Sequence, residues 1–306
     1  MSSPTIAADP PAAAHKAVWP GLLLATGGSI AFSGKAIIVK LAYRYGVDAV
    51  TLIMYRMLFA LPMFLALSWW ASRGKPPLTR RDWITICGLG FSGYYLASFL
   101  DFAGLAYITA SLERLILYLN PTIVLLLGLV VFKRKVNLRQ AMALGVSYCG
   151  VLLVFGHEVT LAGSHVALGA ALVFGSAVSY AIYLVYSGEE VKRLGALRLT
   201  GLATTVACVL CIAQFFILRP VSAAAVAPQV IWLSVLNATL CTFTPVLMVM
   251  MAIERIGATM AAQTGMIGPL STILMGVLIL GEPFTAWVVA GTVLVLAGIW
   301  LLAKAR

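Results

Sequence analysis

Residues 110–128 read ASLERLILYLNPTIVLLLG, and residues 258–276 read ATMAAQTGMIGPLSTILMG. Moving the chain by 148 places lays Ala110–Phe155 on Ala258–Ala303 without a gap. Pro121 then falls on Pro269, Leu126 on Leu274, Gly128 on Gly276, Gly150 on Gly298 and Leu153 on Leu301. Apolar sequences match easily, so this repeat draws its force from what surrounds it.

Both copies lie in a chain of 306 residues that is 62% hydrophobic and only 10% charged, with a mean hydropathy of +1.01. A soluble domain carries about 25% charged residues because its surface meets water. This chain has no such surface, so the bilayer is its solvent. A spanning helix needs about 20 mostly apolar residues. The apolar runs predict ten, over 18–42, 48–70, 82–106, 109–132, 139–156, 165–187, 198–218, 229–252, 258–280 and 283–303. The predicted joints include Lys133-Arg134-Lys135, Gly156-His157-Glu158, Gly188-Glu189-Glu190 and the very short Glu254-Arg255-Ile256-Gly257. Each copy then holds five spans, an odd number, so the second inserts upside down. The fold class is an all-α polytopic membrane protein built as two inverted five-helix repeats, 18–156 and 165–306. Inverted repeats of this kind are a recurrent plan of secondary transporters, with the site near the midplane between the halves.

The net charge of +11 does not point to nucleic acid, since basic residues gather beside spans by the positive-inside rule. If the N-terminus is cytoplasmic, that side holds Lys16, the Arg73–Arg81 and Lys133–Arg139 groups, Lys192, Arg193, Arg198, Arg255, Lys304 and Arg306. The other side keeps little beyond Arg44 and Arg219. Both termini are therefore expected in the cytoplasm, in a bacterial-type inner (plasma) membrane. Residues 1–17 are Ala/Pro-rich without the order of a cleavable signal, and are predicted to form a disordered cytoplasmic tail. The five cysteines sit in apolar stretches and are expected to be packing residues rather than a redox or metal site.

Ala110-Ser111-Leu112 running to Asn120-Pro121, its copy Ala258-Thr259-Met260 running to Gly268-Pro269, and Leu280-Gly281-Glu282-Pro283 followed by Gly291 and Gly298 resemble the EamA-type transporters of the drug/metabolite transporter superfamily. The resemblance covers nearly the whole chain. It implies helices 1–4 and 6–9 around a central cavity, with helices 5 and 10 outside. It also implies export of amino acids or related metabolites, with the bacterial aromatic amino-acid exporters as a candidate subgroup. The first copy departs from the pattern at Lys133-Arg134-Lys135, where the second has Gly281-Glu282-Pro283, so a role for Glu282 need not have a counterpart.

Ionisable groups within spans are costly enough to count as functional candidates by default. Lys35, Arg56 and Asp101 fall at similar depths, about 10 Å from the outer helix ends at ~1.5 Å per residue, with Glu113 and Arg114 slightly shallower. They form either a charged site for a zwitterion or a proton, or a salt-bridge network tying the helices together. Proton coupling would fall to Asp101 or Glu113. Polar residues at helical spacing share a face, and a polar face in lipid is unfavourable. Tyr94, Ser98 and Asp101 make one such stripe, Glu113 and Asn120 another. Ser176, Ser179, Tyr180, Tyr183 and Ser187 make a third, and Ser234, Asn237, Cys241 and Thr244 a fourth. Tyr118 and Gln263 complete the expected lining. Pro121 and Pro269, each lacking a backbone donor, are candidate hinges for alternating access.

Gly88-x-Gly90-x-x-Gly93 matches a dinucleotide fingerprint only as a string, lying in a span with no strand before it. The three histidines fall at helix ends or in loops, no phosphate-binding loop is present, and no cofactor or metal is implied. An embedded enzyme or a channel is a remote alternative. The reading is a non-enzymatic exporter of small metabolites, amino acids with aromatic or neutral side chains first; organic cations and other metabolites are alternatives. Its partners are the substrate, the lipid bilayer and, for coupling, protons; no oligomer is required. Impermeant labelling of tags at the two ends tests the topology: both should react from the cytoplasmic face, and termini on opposite faces would contradict ten spans.

Overall fold

The computed structural model describes residues 13–132, 137–162, 165–265 and 267–304. Residues 1–12 of the predicted tail, the Lys133-Arg134-Lys135 joint and the side chains of a few helical residues, Gln263 among them, lie outside the described residues. The helices are α1 (Ala13–Tyr43), α2 (Ala49–Ser72), α3 (Arg80–Leu105) and α4 (Ala110–Leu117, resumed as Asn120–Phe132). They continue as α5 (Leu138–Ala162), α6 (His165–Leu194), α7 (Ala196–Leu218) and α8 (Pro228–Ala238, resumed as Thr244–Thr264). The last two are α9 (Ile267–Leu280) and α10 (Ala286–Lys304). Eight of the described stretches are long and apolar enough to cross a bilayer, and the shorter apolar helices Ile267–Leu280 and Ala286–Leu302 complete ten.

The surface inverts the soluble rule. Ile217, Leu278 and Trp232 are exposed, whereas Arg56, Asp101, Glu113 and Asn237 are buried. Lipid solvates the former, and only other helices can satisfy the latter.

Three predicted joints are helical instead. α5 runs through Gly156-His157-Glu158, α6 through Gly188-Glu189-Glu190, and helix continues across Glu254–Gly257. Glu, Lys and Arg are good helix formers, so a polar stretch beyond the apolar run extends a helix as readily as it ends one. α6 is further held by Arg193, which pairs with Glu190 at 2.5 Å and with Asp82 of α3. It stops at Gly195, whose φ of 86° favours glycine. The chain still reverses after α8: Cys241 packs against Gly34 and Ile256 against Gly21, while the Gly268 carbonyl is back beside Ser33.

Packing obeys the repeat. α2 lies on α7, α4 on α9 and α5 on α10, each helix against its own copy, while α1 on α8 matches α6 on α3. Gly21 of α1 meets Ile256; moved by 148 places this becomes Gly169 of α6 meeting Ile108, the same two residue types in the same contact. Such small residues let helices in lipid approach closely. α5 and α10 close on one another through Gly150 against the Gly291 carbonyl and Gly298 against the Ala143 carbonyl.

A Cβ at Gly169 would lie 2.7 Å from Ile108 Cγ2 and 3.0 Å from the Gly104 carbonyl, whereas one at Gly145 meets nothing within 4 Å. Gly169→Leu should therefore cost on the order of 1–3 kcal/mol through overpacking, and Gly145→Leu little, as read from melting temperatures in detergent.

Candidate functional site

The charged centre is assembled by α1, α3 and α4. Lys35 follows Gly34, where α1 comes close to α8. Its Nζ donates to Asp101 Oδ2 at 2.5 Å and lies 3.2 Å from Glu113 Oε1. The second contact is an ion pair without hydrogen-bond alignment, so both Glu113 oxygens and Asp101 Oδ1 are buried without a hydrogen bond. Arg114 Nε, 3.9 Å from Glu113 Oε2, donates to Thr272 of α9 at 2.9 Å, and Nη2 donates to the Phe32 carbonyl at 3.2 Å. Two cations thus face two carboxylates. Such a group survives in lipid only by pairing, since each unpaired charge costs several kcal/mol.

Arg56 is the further cation. Its Nε donates to Thr242 Oγ1 at 3.0 Å, its guanidinium lies 5.1 Å from the centroid of the Phe102 ring, and Nη1 is buried without a partner. Asn237 has both side-chain polar atoms buried and unbonded, and Ser234 Oγ and Asn120 Oδ1 share that condition. Buried polar atoms of this kind cost about 1–3 kcal/mol each unless something meets them.

An aromatic group borders the same helices. Tyr94 and Tyr183 share a hydroxyl contact at 3.1 Å with rings edge to face, and Tyr180 stacks on Tyr183 at 5.5 Å. Gly93 makes room, since any Cβ there would run into the Tyr183 ring. Gly90 likewise lets α3 approach the Ala203 carbonyl of α7, whereas a Cβ at Gly88 would meet nothing within 4 Å, so two glycines of the Gly88–Gly93 string serve packing. Ser98 is half-buried between Tyr94 and Asp101. Ser176 and Ser179 donate to the Ala97 and Ser92 carbonyls of α3, both at 2.7 Å, and so serve helix packing.

Of the three π turns among the described residues, one closes α9 at Gly276–Leu280, and the other two set which residues face inward. In α3 the turn covers Gly90–Leu96, and in α8 Thr239–Phe243. Moved by 148 places, the first falls on 238–244 and overlaps the second. A π turn bonds i to i+5 and is frequent at functional sites; here Ala97 N–H reaches the Ser92 carbonyl and Thr244 N–H the Thr239 carbonyl. Thr242 rather than Thr244 therefore meets Arg56, while Thr244 is half-buried where α8 resumes.

Both candidate hinge prolines directly follow helix breaks. α4 is interrupted at Tyr118-Leu119 before Pro121, and α9 opens two residues before Pro269. Pro269 lacks the N–H that would bond the carbonyl four residues back. That carbonyl, Gly265 O, accepts the Tyr118 hydroxyl at 2.7 Å, and Ser33 Oγ donates to the Gly268 carbonyl at 2.8 Å. The two breaks face each other across the repeats.

Beyond them, Glu282 caps the α4 N-terminus. It accepts from Ala110 N–H at 2.7 Å and from the Ser111 hydroxyl at 2.8 Å. Glu158, on the helical extension of α5, accepts from Thr109, and Arg44 donates to the Leu280 carbonyl at 2.8 Å. Sequence reasoning missed Thr242, Thr272 and Glu158, and singled out Glu282 only through the family pattern, without its partner. Thr272 stands one residue from Ser271 in an otherwise apolar run, and nothing local distinguishes it.

Ten spans in two inverted halves, with charged and aromatic side chains gathered between them, define a membrane carrier of the inverted-repeat class. The chain belongs to the EamA-like transporter family, whose model matches residues 19–156 and again 167–304. It is 30% identical over 274 residues to YcbK of Bacillus subtilis (strain 168), described as an uncharacterized transporter, covering 83% of each protein. An uncharacterized transporter of Archaeoglobus fulgidus is 22% identical over 271 residues, 88% of this chain and 92% of its own. A protein crystal structure at 14% identity shares the fold with a TM-score of 0.58, over 92% of this chain and 95% of that one.

Lys35→Met removes the cation both carboxylates share and should destabilise the protein by about 3–5 kcal/mol. Adding Asp101→Asn to it restores the charge balance and leaves Glu113 with Arg114, so it should recover much of that loss. Thermal melts of the single and double variants in detergent check both outcomes.

Proposed function

We propose that this protein is a secondary transporter that exports zwitterionic small metabolites, amino acids with neutral or aromatic side chains first, by alternating access. The observation that carries the reading is the set of opposite charges with unspent bonding capacity: Asp101 Oδ1 and the Glu113 oxygens on one side, Arg56 Nη1 on the other. The ammonium of an amino acid suits the carboxylates and its carboxylate suits the guanidinium. Asn237 offers a donor and an acceptor to the same group, and Tyr94, Tyr180 and Tyr183 offer ring faces to its side chain. Asn120, Ser98 and Thr244 line the path in this reading, with Gln263 assigned from the sequence alone.

The cycle follows from the ties between the halves. Glu282 on α4, Arg44 on α9 and Tyr118 on the α9 break hold one end together, and on the charge bias of the loops this is the outer end. Opening outward requires those contacts to part, with the breaks before Pro121 and Pro269 as the points of flexure. Lys35 can pair with one carboxylate while substrate or a proton occupies the other, which makes Asp101 and Glu113 the coupling groups. Both termini lie in the cytoplasm of a cell bounded by a bacterial-type inner membrane in this scheme.

The carboxylates alone would also suit an organic cation, and Arg56 separates the two readings. Uptake of labelled aromatic and neutral amino acids into proteoliposomes should be saturable and should respond to a proton gradient. Arg56→Gln removes a charge-assisted hydrogen bond of about 1.5–3 kcal/mol, so amino-acid affinity should fall about tenfold to a hundredfold. Asp101→Asn should abolish transport. Transport of organic cations that is untouched by Arg56→Gln, with no amino-acid transport in folded protein, would replace this substrate class.

A further inference from the structure

We infer that the end of the molecule remote from Glu282 carries a headgroup site for an acidic phospholipid, wedged between α2, α7 and α8. A cavity of about 350 Å³ opens there, lined by Trp70, Arg73 and Lys75 at the end of α2, by 194–198 at the α6–α7 joint, and by Met250 and Ile253 of α8. That volume is at the small end of the range for ligand sites.

The lining is divided by chemistry. Arg73, Lys75 and Arg198 bring three cations, and the described lining residues include no carboxylate. Leu194, Leu197, Met250 and Ile253 supply an apolar wall. Arg198 is buried and fixed: Nε donates to Ser72 Oγ at 3.2 Å and Nη2 to the Pro76 carbonyl at 2.9 Å, which holds the loop after α2 in place. Arg73 lies 3.6 Å over the exposed Trp69 ring, and Trp70 is exposed beside it. α7 also begins at the cavity, and its N-cap Gly195 offers no side-chain hydrogen bond to the first amides. Those amides and the cations both favour an anion.

A free phosphate would use the cations and leave the apolar wall bare. A phospholipid uses both, with its phosphate among Arg73, Lys75 and the α7 amides and its chains against Met250 and Ile253. Adjacent exposed tryptophans on the last turn of α2 mark headgroup depth, and basic pockets between spans are suited to acidic headgroups.

The test uses the full chain in nanodiscs of phosphatidylcholine that contain, at equal mole fraction, dibrominated phosphatidylglycerol or dibrominated phosphatidylcholine. Bromine quenches tryptophan on contact, and the Trp70 signal is the difference between wild type and Trp70→Phe. Quenching should be stronger with the acidic lipid, and added salt should weaken the preference. Arg73→Gln with Lys75→Gln should reduce the preference by about an order of magnitude; Lys75→Gln alone serves if the double variant is not monodisperse. Equal quenching by both lipids, or a preference unchanged in the variants, would overturn the site. Relief of quenching by inorganic phosphate alone would assign it to a soluble anion instead, and relief by a transported amino acid would make it part of the substrate path.

Discussion

Everything at the centre of this protein follows from the cost of an unpaired charge away from water. Lys35 resolves it by standing between Asp101 and Glu113, and Arg114 balances the second carboxylate from the other side. Because these groups belong to α1, α3 and α4, meeting the electrostatic demand also fixes how three helices of the first half lie together. The pairing is nonetheless incomplete. Several carboxylate oxygens and one Arg56 nitrogen have no hydrogen bond, and a protein selected only for stability would have little reason to keep them so. In the proposed function, that unspent bonding capacity is what makes a structural cluster available to a substrate.

The second half supplies chemistry of a different kind. Lys35 corresponds by the 148-residue offset to Tyr183, and Arg56 to Thr204. The two halves share backbone plan and glycine contacts, as Gly21–Ile256 and Gly169–Ile108 show, yet the central charges sit in the first half, while the second brings Tyr183, with Tyr180 stacked on it, against Tyr94 and Thr242 against Arg56. In the proposed cycle, symmetry serves the motion and its violation serves recognition.

Most of the architecture was legible in the sequence because its causes are long-range and repetitive. Ten apolar runs, an odd number per copy, and prolines at matching positions are visible without coordinates. Lys35, Asp101 and Glu113 were legible as individual costs, and their depths already suggested contact. The joints were misread because polarity signals departure from lipid and says nothing about helix termination; Glu158 lies on such an extension and only thereby reaches Thr109. Thr242 was hidden by a phase error. Periodicity assumes 3.6 residues per turn, and the wider π turn brings Thr242 inward beside Cys241 while Thr244 falls at a half-buried position.

Those π turns have a bearing on how the chain tolerates changes of length. A wide turn holds one residue more than the helix needs, so removing that residue would leave an ordinary turn with the flanking faces unmoved. Gly90–Leu96 and Thr239–Phe243 are therefore places where a span can shorten by a single residue without rotating its lipid-facing side inward. Elsewhere in the same helices, a deletion of that size would turn Asp101 or Asn237 toward the hydrocarbon. Among related chains, single-residue gaps within α3 and α8 belong at these two points.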